Sequence, residues 1–401
     1  MRSPEPGPRR FGDDASREAS PPAASKDRHT LYLVSCVKTK RQTLAPAKDL
    51  YVSTWFRKAR ACVEKTGSPW RILSAEYGLL HPDEEVLPYE RTLNAMGVRE
   101  RRAWAEDVLA HIETCLDGVD TVVFLAGLRY REFLEPALRN RGLAVIVPMK
   151  GLSQGQQLQW LTSNCDRFCD TRRFYQLMER LEGRVGGTRL LVECTGRMDW
   201  PKRGLYFFFE PGEARSGSGT GLRVVRVGTH ALKEGSKSTL WRRLYQHRGP
   251  ARTGGGNHRG SIFRLLIGIA LASRSGIPLP PSWGLDGDRG PAARRIGMER
   301  AEVKRSEAEL EASVSRYIGA MPFLFLGATD APGRDTERGC IERNAIALLS
   351  AYSKASLDPA SAGWLGRSSD RERVRLSGLW NNNHVDEAYH PSFLDLMEKR
   401  I

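Results

Sequence analysis

The sequence predicts an α/β protein in two parts. An N-terminal domain is built on a parallel sheet covered by helices, and a C-terminal α+β domain carries a small antiparallel sheet flanked by helices. Three observations carry this expectation. Short apolar runs of buried-strand type alternate with helical segments over the first 165 residues or so, the rhythm of a helix-covered parallel sheet. A helical segment from about Arg172 then ends in a Gly-rich joint at Gly187. Beyond it, a Gly/Ser-rich loop joins two strands, and mostly helices follow. At 401 residues the chain is long enough for two cores, because single cores stop growing at about 250–300 residues.

In order along the chain, residues 1–28 are rich in Pro, Ser, Ala and charge with no hydrophobic period, and they read as a disordered tail because they bury too little to offset ordering entropy. The first domain, 29–170, opens on the strand Leu31-Tyr32-Leu33-Val34. Further strands are expected at Arg71 to Ser74, Thr121 to Leu125 and Ala144 to Val147, with helices around Tyr51 to Glu64, Arg99 to Leu116 and Tyr130 to Arg139. Residues 171–187 form a linker helix. In the second domain, 188–401, strands are expected near Leu190 to Cys194, Gly204 to Glu210 and Arg223 to Val227, the last two joined by the hairpin loop Pro211 to Gly221. Helices at Ser238 to His247, Ser261 to Ala272 and Met298 to Tyr317 precede the buried strand Phe323-Leu324-Phe325-Leu326. A helix at Ile341 to Tyr352 follows it.

The balance of 62 Lys+Arg against 47 Asp+Glu gives a net charge of +15, which favours polyanionic partners. The charge concentrates: Arg215 to Arg264 holds eleven Lys or Arg and one acidic residue, Glu234. Trp241, Tyr245 and Phe263 interleave with it, either to stack on bases or as core residues of amphipathic helices. Seven cysteines with no signal-peptide run argue against a disulfide framework and for a reducing cytoplasm; Cys165 and Cys169 read as structural thiols. No stretch reaches the ~18 apolar residues of a membrane span. The sequence sets no oligomeric state.

Two short strings carry most of the functional information. Gly204-Leu205-Tyr206 heads an aromatic strand, and Arg226-Val227-Gly228 closes the next. In the helix that follows, Arg243 and His247 stand four apart and so share one face. Glu342 lies on a helix after a buried strand, and Asn381 follows Trp380. This ordered set resembles the GIY-YIG nuclease superfamily over about residues 188–390. The resemblance implies hydrolysis of phosphodiesters in nucleic acid, DNA by preference, with restriction of foreign or modified DNA as the setting. It implies Tyr206 beside the attacking water as general base, Arg243 with His247 on the phosphate side, Asn381 at the same centre, and Glu342 as ligand of Mg2+ (or Mn2+). Glu337 and Asn383 are neighbouring alternatives for the last two. A phenol with a pKa near 10 needs nearby positive charge to ionise, and a lone carboxylate suits Mg2+, which keeps several waters. One departure stands out: Arg226 occupies the place of the second motif's tyrosine, and His230 is the candidate substitute, able to shuttle protons near neutral pH. Arg226, Lys237, Arg242, Arg248 and Arg259 are the expected nucleic-acid contacts.

The first domain has its own cluster: Ser35, Lys38 and Lys40 after the first strand, Tyr51 and Ser53 opening a helix, Ser74 and Tyr77 after the second strand. These fall at strand carboxyl ends, the usual ligand edge of an open parallel sheet. The arrangement resembles an uncharacterised bacterial domain remotely related to archaeosine- and queuosine-type base-modification proteins, which implies recognition of a nucleotide or flipped base. Cys36 has no His/Asp partner nearby in sequence. Two other readings fit the same residues: a nucleic-acid-binding adaptor with a degenerate nuclease site, and a base-modifying or base-excising enzyme acting through the first domain.

Overall fold

A computed structural model describes residues 29–250, 255–285 and 287–401; the expected tail, 1–28, lies outside them. The first half runs β1 (His29–Ser35), β2 (Ala45–Pro46), α1 (Ala47–Leu50), α2 (Thr54–Lys65), β3 (Trp70–Ser74), β4 (Gly78–Leu80), β5 (Glu85–Val86), α3 (Val98–Glu113), β6 (Val119–Leu125), α4 (Leu128–Arg131), α5 (Leu134–Asn140), β7 (Ala144–Ile146) and α6 (Gln154–Ser163). The second runs α7 (Cys165–Val185), β8 (Arg189–Leu190), β9 (Arg203–Ala214), β10 (Leu222–Gly228), α8 (Leu240–Arg248), α9 (Ile262–Ser275), α10 (Arg289–Arg295), α11 (Arg300–Gly319), β11 (Pro322–Ala328), α12 (Glu337–Leu349), α13 (Glu372–Ser377) and α14 (Phe393–Arg400).

The first sheet has the order β4-β3-β1-β6-β7. β1 pairs in parallel with β3 and β6, and β6 with β7, as expected. β4 is an antiparallel edge strand that the sequence pattern did not announce. It returns from β3 through a tight turn in which Gly78 has φ +70°, a conformation that favours glycine. The expected helix at Tyr51 starts later, because Ser53 accepts a hydrogen bond from the Phe56 amide at 3.1 Å and caps α2. Tyr51 is left outside, bridged to Lys40.

The second sheet, β10-β9-β11-β8, is antiparallel throughout. β9 continues past the expected hairpin start to Ala214, and β8 is shorter than expected. Alternation along β9 divides the domain into two layers. Leu205 and Phe207 join a core with α7, α12 and α14, whereas Tyr206 and Phe208 join one with α8, α9 and α11.

The linker is more than a linker. α7 begins at Cys165; Phe168 belongs to the core of the first domain, and Phe174, Leu177 and Leu181 belong to that of the second. Arg167 on α7 donates to the carbonyls of Leu348 (3.0 Å) and Ser350 (2.6 Å), which end α12. Cys165 is disulfide-bonded to Cys62 of α2 across 103 residues. That corrects the expectation of a structural thiol at Cys165, whereas Cys169 is free; the odd, scattered cysteines had argued against a disulfide framework. Among the described residues no helix is long and apolar enough to cross a membrane.

Candidate active site

The register of β9 against β10 places Gly228 opposite Tyr206, and the tyrosine ring lies over the glycine. A Cβ at Gly228 would stand 2.3 Å from Tyr206 Oη and 2.4 Å from Cζ, so the glycine is what lets the ring settle. Tyr206 Oη is 2.9 Å from His247 Nε2, and His247 Nδ1 is 2.7 Å from Ser261 Oγ. Ser261 also caps α9 through the Arg264 amide, and Arg264 Nη1 donates to the His247 carbonyl at 2.8 Å. Burial holds the His247 pKa well below the ordinary value, helped by the positive charge of Arg243, Arg226 and Arg264. The imidazole is neutral near pH 7 and one of its nitrogens is an acceptor.

Tyr206 and His247 both have 0% exposure. The phenol that the motif places beside the attacking water is therefore sealed inside the wall of the site. The open surface belongs to its neighbours. Arg243 is half-buried, its Nη1 donating to Gln246 Oε1 and the Gly260 carbonyl, both at 3.1 Å. Glu342 falls in the second turn of α12, which Thr336 caps earlier than expected. Its Oε1 accepts from the Thr229 amide at 3.1 Å. Part of its surface meets solvent although protein crowds the carboxyl. Burial raises its pKa, and Arg226, the Thr229 amide, His384 and Arg243 oppose that rise.

Arg226 shares the site. Its guanidinium lies 4.6 Å above the Phe263 ring, Nη1 donates to the Trp380 carbonyl, and Nε is buried without a partner. Desolvation lowers its pKa, while Glu342 opposes that fall. A cation thus stands where the motif expects a second phenol. The structure places Tyr206, Arg226, Arg243, His247 and Glu342 near one another.

Asn381 is held by the backbone of β10. Its Oδ1 accepts from the Val227 amide at 3.1 Å and its Nδ2 donates to the Val227 carbonyl at 2.8 Å. The side chain clasps the free edge of β10. Asn383 is exposed, and Glu337 is an exposed first-turn acid paired with Arg400. His230 is buried with neither ring nitrogen hydrogen-bonded. Burial and then Arg338 push its pKa down to about 4, so it is not the near-neutral shuttle expected. His384, with φ +64° and Nδ1 2.6 Å from Glu387 Oε1, was missed, as was the Thr229 amide. The histidine stood in the Asn381-Asn382-Asn383-His384 run, but a loop offers no periodicity to rank it.

The basic segment is less free than its composition suggests. Of its eleven cations, Arg215, Arg223, Arg259 and Arg264 pair with Glu179, Glu213, Glu307 and Glu311. Arg259, expected on nucleic acid, is held by a fully buried carboxylate at 2.8 Å. Lys237 and Arg242 are exposed, and Arg248 is half-buried with Nη2 3.4 Å from the Val192 carbonyl. Phe263 is core, Trp241 stacks on Trp200 at 5.3 Å, and Tyr245 keeps 41% exposure.

In the first domain Lys40, Tyr51, Ser74 and Tyr77 converge on Tyr89, which the sequence reading did not single out because it lies in an unpatterned loop. Ser35 ends β1 inside the core, Lys38 is exposed, and Ser53 is a helix cap. Residues 31–163 match a family of unknown function, DUF6884, a match that lends no support to the likeness with base-modification proteins. No curated protein and no solved structure matches the chain. Residues 165–401 match the model of the GIY-YIG domain, more than half of the chain and the whole of the site just described, so the chain belongs to the GIY-YIG family.

Proposed function

We propose that residues 165–401 form a divalent-metal-dependent endonuclease acting on DNA, in the restriction of foreign or modified DNA, with the first domain choosing the target. The observation that carries this is the convergence of Arg243, Arg226 and Glu342 at the open end of β10, backed by the Tyr206–His247 pair. The residues fit a cation: Glu342 Oε1 is held by the Thr229 amide, and Oε2 has no hydrogen-bond partner among the described residues. Glu342 would hold Mg2+ or Mn2+, and a bound ion of this kind neutralises phosphate charge and acidifies water.

The chain's own groups supply the rest. Arg243 offers positive charge where the phosphate oxygens become more negative, with the buried Arg226 behind it, and preorganised charge of this kind is the largest single aid to such a reaction. In the tautomer that keeps a proton on His247 Nδ1 for Ser261, Nε2 accepts a hydrogen bond from the Tyr206 hydroxyl. Tyr206 Oη, so held, keeps a lone pair with which to orient the attacking water.

That step needs water at an oxygen that is enclosed here. The enclosure, with Arg226 in place of a phenol, favours a second reading: a nucleic-acid-binding adaptor that does not turn over. Incubating the pure protein with plasmid, modified phage DNA and RNA, with Mg2+ or with chelator, separates the two. Metal-dependent nicks support the nuclease. Salt-sensitive binding without nicks supports the adaptor.

A further inference from the structure

The first domain holds a second site that the nuclease reading does not use. In the order β4-β3-β1-β6-β7, the chain leaves β1 toward β3 on one side and later returns to place β6 on the other. The crevice outside the carboxyl ends of β1 and β6 is therefore a topological switch point, where open α/β sheets bind ligands. Cys36 follows β1, Tyr130 lies on α4 just after β6, and their thiol and hydroxyl meet across that crevice at 3.1 Å.

From there a polar network spreads over the sheet edge. Ser74 Oγ donates to Tyr89 Oη at 2.8 Å, and the Tyr89 and Tyr51 hydroxyls are 2.9 Å apart. Trp104 Nε1 donates to the Ser74 carbonyl at 2.9 Å, and its ring meets Tyr130 edge-on. Lys40 Nζ sits 4.2 Å above the Tyr89 ring. It donates to the Lys38 carbonyl at 3.3 Å and, among the described residues, pairs with no carboxylate within ion-pair distance. Tyr77, 41% exposed, stands edge-on to Tyr89 at 5.4 Å, and its hydroxyl donates to the Leu87 carbonyl at 3.3 Å.

The chemistry of this set is selective. Burial, and next the Cys36 thiol, raise Tyr51, Tyr89 and Tyr130 above the ordinary phenol range, so all three keep their protons near pH 7. Phenol donors, flat rings and one unpaired ammonium suit a flat ligand with acceptors on its edge and an anionic group. The buried groups satisfy one another and so hold the ring edges in fixed positions behind Lys40 and Tyr77. We propose that this crevice binds a nucleotide, its base against Tyr77 and the phenol network and its phosphate on Lys40.

The test is titration calorimetry on the full chain in chelator, which silences metal-dependent cleavage and keeps this outcome separate from that of the nuclease reading. The probes are nucleoside 5′-monophosphates and the matching nucleosides. At least one monophosphate should bind the wild type. Lys40→Met should weaken it about tenfold or more while barely changing the nucleoside, and Tyr77→Ala, at an exposed position that does not threaten folding, should weaken both. Displacement of the monophosphate by an oligonucleotide with an unpaired base, but not by its fully paired form, would assign the bound base to a polynucleotide. Failure of both to displace it would assign a free nucleotide. No binding by any probe at millimolar concentration, or binding that both variants leave unchanged, overturns the proposal.

Discussion

Substituting Gly228 by alanine tests the geometry of the site more directly than removing any charged group. The added methyl would lie 2.3 to 2.5 Å from Tyr206 Oη, Cζ and Cε2, whereas carbon atoms pack at about 3.5–4.0 Å. The ring must retreat by about 1 Å or more. It has 0% exposure, so it cannot swing into solvent and must push its neighbours. Its hydroxyl is 2.9 Å from His247 Nε2, and a shift of that size takes the pair past the ~3.2 Å limit of an ordinary hydrogen bond. Overpacking of this kind costs about 1–3 kcal/mol of stability, and a 1 Å misplacement costs about 100-fold in rate. Single-turnover cleavage of plasmid with Mg2+, read beside thermal unfolding, should register both losses. Tyr206→Phe, which removes the hydroxyl and keeps the ring, should lower the rate with a smaller shift in melting. A Gly228→Ala protein that melts like the wild type and cleaves within a few-fold of it would refute the packing argument.

Four other outcomes are expected. Glu342→Gln should abolish cleavage while leaving nucleic-acid binding and folding nearly intact, because an amide oxygen still accepts from the Thr229 amide but the charge on the cation is gone; turnover close to wild type would remove Glu342 from the site. Glu307→Ala should cost about 1–3 kcal/mol in urea unfolding, since the fully buried carboxylate accepts from buried Ser282 and from half-buried Arg259 and Arg289, and a loss near zero would contradict the burial. His230 has a folded pKa of about 4 against an ordinary 6.5, so its contribution is complete above pH 6.5 and is lost as pH falls toward 4, roughly 3 kcal/mol in all. His230→Leu should flatten that acid limb. Binding to duplex DNA should weaken with salt by about 0.9 log–log units per phosphate neutralised. Because Arg215, Arg223, Arg259 and Arg264 are paired internally, Arg242→Ala should lower the slope and Arg259→Ala should not.

Much of this was legible in the residues. Strands β1, β3, β6, β9, β10 and β11 are apolar or aromatic runs bounded by turn residues, and such runs have few other places to go. Tyr206, Arg243 and His247 were readable through their resemblance to the family motifs, and the helical repeat added only that the last two share a face. Other features have no local signature. The Cys62–Cys165 bond joins residues 103 apart. Arg259 is neutralised by Glu307, on a helix whose charges look like an ordinary solvated face. Asn381 was placed at the centre by resemblance, and an amide after a tryptophan carries no mark of whether it faces substrate or backbone. Tyr89 and His384 lie in loops, where position is set by tertiary contacts alone, and the Thr229 amide is backbone and invisible to any reading of side chains.

The helix α7 changes how this protein can be taken apart or recombined. One end is fastened to α2 by Cys165, the middle supplies side chains to both cores, and Arg167 holds the carbonyl end of the helix that bears Glu342. A fragment cut after Gly187 would leave the Leu205 and Phe207 face of β9 without its cover, so the smallest separable nuclease piece begins at Cys165. By the same logic, an exchange of first domains between related chains would succeed only if the incoming domain presented a surface matched to Phe168 and its neighbours. Inheritance of the two halves would then be coupled through one helix, and drift in either would be read by the other.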